Sequence, residues 1–301
     1  MLMVSGPEAV SAALAAPSLK VVLPIGQGSP AGSLLTQMAR FSNGAEHALR
    51  RDAVIRLLPP LAEVAAVAAS RASELLRGLP EEFDIMPLAR SLPAETLALA
   101  MRLGPDQAMW AARLADVLST VVAPGGLAAD TAADDAANEL CRLFTGLGLR
   151  DGDEVGAASI LFQARDATAA LIGLAVVADA SGVTRRALPS AERIDLVLRL
   201  EAPVQLTQRL ATTETRLGEA RLPVGGLVRI LLATAENDGE LPATFGGGVH
   251  CCPGAQHAIV IAGEVLSALD AQGWRPVPGQ QIYLEPRPNL RLPSRVMVRR
   301  S

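Results

Sequence analysis

Apolar residues recur at helical spacing over most of this chain. Pro7–Ala16, with proline at each end, predicts a short helix. Leu61–Leu79 predicts a longer one, stopped by Gly78 and Pro80. Further helices are predicted over Glu46–Pro60, from Leu103-Gly-Pro-Asp through Val121, over Ala128–Gly146 and over Ser159–Gly173. Pro189–Glu201 and Ala255–Leu269 complete the set, and Pro124-Gly-Gly126 is a break. Gly26–Gly44 is rich in Gly, Ser and Pro and predicts a loop with one helical turn. Pro203–Gly225 reads as strand, turn, strand, and the tail Gln272–Ser301 as turns with short strands such as Gln281–Leu284 and Val296–Val298.

Composition sharpens this to a mainly α fold with small β-regions. Of 301 residues half are hydrophobic, only 3% are aromatic, and alanine and leucine dominate, which favours helices packed on helices. No repeat or low-complexity linker divides the chain, so a single domain over 1–301 is expected. A net charge of −4 with no basic patch excludes nucleic acid as a partner class. Three cysteines, two of them adjacent, make no disulfide framework, so a reducing compartment fits, and Cys141 is expected to be an inert core residue. The start Met1–Pro7 lacks the basic region of a signal peptide, and the nearly apolar run Ala167–Ala178 is too short to span a bilayer. A cytoplasmic protein with no membrane partner is the expectation.

The candidate chemistry lies in Phe245-Gly-Gly-Gly-Val-His-Cys-Cys-Pro-Gly254, just ahead of the apolar segment Ala255–Leu269. Glycines let a backbone approach a flat ligand or take up positive φ. A cysteine before a helix has backbone N–H groups and the helix dipole near its sulfur, which favour the metal-ligating thiolate. Cys252 fits that place, with Pro253 as a first helical residue. Zinc is a weaker rival: His250, Cys251, Cys252 and His257 are donors, but adjacent cysteines lack the usual spacing. A phosphate loop is excluded, because no Gly-Lys-Ser/Thr follows.

Phe245-Gly246-x-Gly248-x-His250-x-Cys252-x-Gly254-x-x-x-Ala258 resembles the haem-binding loop of the cytochrome P-450 family, position for position. The resemblance implies haem b as cofactor, Cys252 as the proximal iron ligand, and Phe245, Gly246, His250 and Gly254 around the porphyrin. Glu46–Pro60 is similar to the family's third helix, where a His and an Arg four residues apart bind a haem propionate; here these are His47 and Arg51. Arg209 falls where the relatives place another propionate-binding arginine. Ser159–Gly173 resembles the central helix that crosses the distal haem face, with Ala164, Arg165, Asp166, Ala167 and Thr168 where relatives carry Ala-Gly-x-(Asp/Glu)-Thr. The alcohol Thr168 is kept, while Ala167 replaces the acid that delivers protons to dioxygen and Arg165 replaces the glycine. Arg165 either anchors a substrate carboxylate or polarises peroxide, or it turns away and pairs with a neighbouring carboxylate.

Other stretches depart further. Glu81–Ala98 resembles the family's core-building stretch between two helices. The family's Glu-x-x-Arg pair has Leu196 at the glutamate position, so Arg199 needs another acid, with Asp195 or Glu192 at hand. The resemblance starts at the family's second helix near Pro7, implying that its first helix and opening strands are absent. The chain also runs almost directly from Asn237-Asp238 to Phe245, implying deletion of the irregular meander. The implied activity is that of a haem-thiolate oxidoreductase, a monooxygenase or peroxygenase, acting on a small organic substrate in specialised metabolism. Its electron source is a ferredoxin-type donor, or none if peroxide is the oxidant. Ala255–Leu269 carries no Lys or Arg to dock an acidic carrier, although Arg50 and Arg56 can contribute. The alternatives are redox-neutral or otherwise atypical haem chemistry, and a non-catalytic homologue that activates a partner enzyme. A pocket lacking its N-terminal cover can be completed by a second copy or a partner.

Overall fold

A computed structural model describes residues 1–22, 28–121, 131–178, 188–233 and 243–300. The helices in chain order are α1 (Pro7–Ala15), α2 (Pro30–Gln37), α3 (Gly44–Leu57), α4 (Leu61–Arg77), α5 (Met86–Ala100), α6 (Pro105–Val121), α7 (Thr131–Arg142), α8 (Asp153–Ala178), α9 (Ser190–Leu200) and α10 (Ala255–Ala271). The strands are β1 (Leu2–Val4), β2 (Leu19–Val21), β3 (Glu82–Asp84), β4 (Leu206–Ala211), β5 (Thr215–Leu217), β6 (Ala220–Leu222), β7 (Leu227–Leu231), β8 (Trp274–Pro276) and β9 (Met297–Arg300). The architecture is mainly α with small sheets, as composition predicts. The breaker Pro124-Gly-Gly126 and the shortened run from Asn237 lie outside the described residues.

Helix α8 runs through the middle because it has no polar side to show to water: 17 of its 26 residues are buried. It packs against α5, α6, α9, α10 and α3. Its length and composition would let it cross a membrane, but 72% of its most apolar window is covered by the rest of the protein, as in a core helix. Gly173 lets α5 come close, since a Cβ there would lie 2.6 Å from Met86 Sδ and 3.3 Å from Pro293 Cγ. Helix α4 presents Val64, Ala68, Ala72 and Leu76, one per turn and each 0% exposed, and α10 lies along it with Ile261, Val265 and Leu269.

The larger sheet has the order β1-β7-β4-β2. Strand β1 runs parallel to β7, and the other pairs are antiparallel. Opening strands were not expected, yet Met3 stands opposite Arg229, so that expectation is corrected. Hydrogen bonding to β7 gives this short segment a place that its own sequence does not signal. Under the sheet, Val10, Ala13 and Leu14 of α1 meet Leu19, Ala211, Val228 and Ile230 in a second, smaller core.

Two further expectations change. The Gly/Ser/Pro stretch holds a full helix, α2, as well as a 3-10 turn over Ala39–Phe41. Pro30 starts α2, Ser29 Oγ accepts from Gly32 N–H, and Asp134 of α7 accepts from Ala31 N–H at 2.9 Å, while Leu34 and Leu35 bury themselves. Half of that cap comes from a residue 103 positions away, which local composition cannot show. In the tail, Gln281–Leu284 is no strand: only Leu284 makes an isolated bridge, to Pro293. The sheet there is β3-β9-β8, with β9 falling at Met297–Arg300.

Candidate functional site

The cysteine loop lies where the two cores meet. A 3-10 turn over Ala243–Phe245 and a second over Gly248–His250 fold it tightly. Gly246 (φ 75°) and Gly248 (φ 60°) take left-handed conformations that side chains with a Cβ resist. A Cβ on Gly248 would also lie 2.8 Å from the carbonyl oxygen of Leu14, so the loop is pressed onto α1. Cys252 N–H donates to Phe245 O at 2.8 Å and Cys251 N–H to Gly248 O at 3.2 Å. Helix α10 starts at Ala255 with Gly254 as its cap, so Pro253 precedes the helix and does not open it. Gly254 faces open space: a Cβ there would meet nothing within 4 Å.

Cys252 is exposed, although protein surrounds it at longer range. That surrounding raises its pKa, opposed by the backbone N–H of Gly254 and the positive charges of Arg40 and Arg51. Arg40 has the same character, exposed but enclosed, and its own pKa is lowered by burial.

Cationic groups gather around the loop. His47 of α3 is buried, and its ring stands 4.0 Å from that of His250. Arg51, one turn further along α3, donates through Nη1 to Cys251 O at 2.5 Å. Strand β4 alternates so that Arg209 and Ala211 turn inward while Leu210 faces out. Arg209 is 6% exposed and donates to Thr207 Oγ1 at 2.7 Å and Gln208 O at 2.8 Å. Burial and the neighbouring Arg40 bring its pKa down to about 10. Burial, then the charges of His47, Arg209, Arg51 and Lys20, push that of His250 down to about 4, and burial followed by Arg51 lowers that of His47. Among the described residues no carboxylate pairs with Arg40, Arg51 or Arg209. Arg40 is the residue that sequence reasoning missed. It stands in no helix pattern, and only the fold brings it toward this cluster: Asn43, three residues on, accepts from Val21 N–H, and Val21 stands in register with Arg209.

On the other wall the outcome is split. Ala164 and Ala167 are only partly buried in an otherwise buried helix, and Ala164 and Phe245 both border the main core. Thr168 is 2% exposed. Of the two arrangements considered for Arg165, the structure shows the one in which it pairs with neighbouring carboxylates. Its guanidinium forms ion pairs with Asp116 of α6 and with Asp166, and it donates to Ser119 Oγ at 3.1 Å. A buried guanidinium is held by the nearest carboxylates, and α6 supplies one.

Several other donors lie apart from this cluster. His257 donates through Nε2 to Pro59 O at 2.9 Å, and among the described residues no three His, Cys, Asp or Glu side chains converge as a metal site would require. Arg199, its side chain 36% exposed, is held by Asp195 at 2.9 Å; of the two acids considered, Asp195 is the one that compensates.

No family model matches the chain. Protein DesVIII of Streptomyces venezuelae is 29% identical over 250 residues, covering 77% of this chain and 57% of that protein, so the chain spans little more than half the length of this curated relative. Among solved structures, cytochrome P-450 BioI in complex with an acyl carrier protein ligated to hexadec-9Z-enoic acid superposes with a TM-score of 0.82 at 17% identity, over 99% of this chain and 91% of that one. Cytochrome P-450 CYP109Q5 from Chondromyces apiculatus gives 0.80 at 21% identity, over 99% and 89%. The enzyme CxnD, for C–S bond formation in chuangxinmycin biosynthesis, gives 0.76 at 18% identity, over 98% and 87%. With its central apolar helix, its small sheet under α1 and its cysteine loop before α10, the chain has the cytochrome P-450 fold.

Proposed function

We propose that this chain is a haem-thiolate oxidoreductase of the cytochrome P-450 type, acting on a small organic substrate. One observation carries the reading: a single exposed thiol, Cys252, lies on the loop that His47 and Arg51 hold, and among the described residues neither Arg51 nor Arg209 has a carboxylate partner. That donor set fits a metal-bearing ligand with two carboxylates, which haem b is. Cys252 would hold the iron, and His47, Arg51, Arg209 and His250 would hold the propionates. Gly254 leaves room for a flat ring, and Ala164 and Thr168 lie on the helix across the pocket. When bound, the haem would supply the redox chemistry, tuned by the thiolate of Cys252.

The chain's own residues bear on the oxidant. Ala167 cannot pass a proton, and Arg165 is engaged by Asp116 and Asp166, so the distal helix offers Thr168 but no acid at the usual place. Arg50 is paired with Glu46, and Arg56 with Asp153 at 3.2 Å, which reduces the positive charge available to an acidic electron carrier. Both features favour peroxide as oxidant over dioxygen with a ferredoxin-type donor. The missing acid supports a second reading, redox-neutral or atypical haem chemistry. Likeness to a biosynthetic enzyme such as CxnD supports a place in specialised metabolism.

The test is spectroscopic. The purified protein, supplied with haem, reduced and exposed to carbon monoxide, is expected to show the red-shifted band of thiolate ligation. Cys251→Ser should keep the band and Cys252→Ser should lose it. A colourless protein that instead binds a partner enzyme tightly would replace this reading with that of a non-catalytic activator. Turnover with peroxide, with dioxygen plus reductant, and with neither separates the two enzymatic readings.

A further inference from the structure

We propose that Arg40 and Arg209 together form a seat for one carboxylate of the bound haem. This rests on the haem reading above and adds a residue to it. Arg40 sits in a rigid turn between α2 and α3. Phe41 N–H donates to Met38 O at 3.1 Å, and Ser42 donates to Ala39 O through N–H at 3.2 Å and Oγ at 2.9 Å. Met38 and Ser42, on either side, are 1% and 3% exposed, so the turn is anchored at both ends while Arg40 itself is exposed.

The sheet holds this turn against Arg209. Val21 stands in register with Arg209 across the β2–β4 pair. Asn43, just past the turn, accepts from Val21 N–H at 3.0 Å and donates back to Val21 O at 3.5 Å. The link therefore runs from Arg209 to Val21 to Asn43 and on to the Arg40 turn. Neither guanidinium has an acidic partner among the described residues. Arg209 makes only neutral hydrogen bonds, and Arg40 lies 5.4 Å from the centre of the Phe41 ring.

Two neighbouring guanidiniums without an anion repel each other, and an enclosed charge left unpaired is costly. Each presents a planar fork of donors that matches a carboxylate. The lowered pKa of Arg209 agrees with the nearness of Arg40. Asn43 also precedes the first turn of α3, whose His47 and Arg51 touch the cysteine loop at His250 and at Cys251 O, so an anion seated between the two arginines lies beside the thiol.

The test compares ferric protoporphyrin IX with its dimethyl ester, in which both carboxylates are blocked. Each is titrated into haem-free wild type, Arg40→Gln and Arg40→Lys, and the haem absorbance is followed. Arg40→Gln should bind the diacid about tenfold more weakly, the worth of one charge-assisted hydrogen bond. It should bind the diester as the wild type does. Arg40→Lys, which keeps the charge without the fork, should fall between. Diacid binding by Arg40→Gln equal to wild type would overturn the proposal, and so would equal losses for diacid and diester, the mark of a packing defect. In either case a wild type that binds the diacid with a thiolate spectrum leaves the haem reading standing. A wild type that takes up neither porphyrin removes both.

Discussion

The imidazole rings of His47 and His250 stand 4.0 Å apart and tilted by 44°, joining α3 to the cysteine loop across 203 positions of sequence. With Arg51 on the carbonyl of Cys251, this contact fixes the loop from the side that α1 does not cover. The sulfur of Cys252 is thus placed by α1, α3 and α10 together, which is the rigid support that a ligand site needs.

The loop glycines should separate sharply on substitution. Gly248→Ala forces a Cβ to 2.8 Å from Leu14 O at a positive φ, so the haem-free protein should lose about 1–3 kcal/mol in a denaturant titration. Gly254→Ala meets nothing and has an ordinary φ of −95°, so the fold should keep its stability. Any loss of haem binding in Gly254→Ala would then come from contact with the porphyrin.

Arg165 should matter to stability more than to chemistry. Arg165→Met removes a buried guanidinium that joins α6 to α8 and, among the described residues, leaves Asp166 with Arg287 alone, 3.6 Å away. A loss of about 2 kcal/mol or more is expected by denaturant unfolding. Peroxide affinity of the haem-loaded variant should be unchanged; a large drop there with stability intact would return Arg165 to the active site.

The crossing of α5 and α8 depends on one missing methyl. Gly173→Ala would put a Cβ 2.6 Å from Met86 Sδ, and overpacking of this kind costs about 1–3 kcal/mol. Met86→Ala opens that space, so the double variant should be more stable than additivity predicts, as read from a double-mutant cycle. Strict additivity would mean that Pro293, not Met86, takes the strain.

Cys141 should be the slow thiol. Burial, and then the nearby charge of Glu154, pushes its pKa up to about 11. A disulfide-exchange reagent near neutral pH should therefore modify Cys252 first and Cys141 only on unfolding. An unfolded thiol ionises near 9.0, so between there and 11 the unfolded chain binds fewer protons and stability falls as pH rises. Comparison with Cys141→Ala isolates this slope, which should vanish in the variant.

The long helices and the cysteine loop were legible because their signals are local. Apolar spacing marks α4 and α10 directly, and the Gly, His and Cys positions of Phe245–Gly254 lie within ten residues. His47 and Arg51 were legible too, as a pair one helical turn apart. Helix α2 was not, because its cap is shared with Asp134 of a distant helix. Nor was strand β1, whose pairing partner lies more than 200 positions away.

The sequence by itself determined a mainly helical chain with one thiol at the mouth of a helix, since both follow from residue type and short spacing. Only the tertiary structure decided which charges face that thiol. Asp116 and Asp166 pair with Arg165, while the Asn43–Val21 link holds the Arg40 turn to the strand pair that carries Arg209. The reason is physical: a charged side chain goes where its partner is, and the fold alone sets where partners lie.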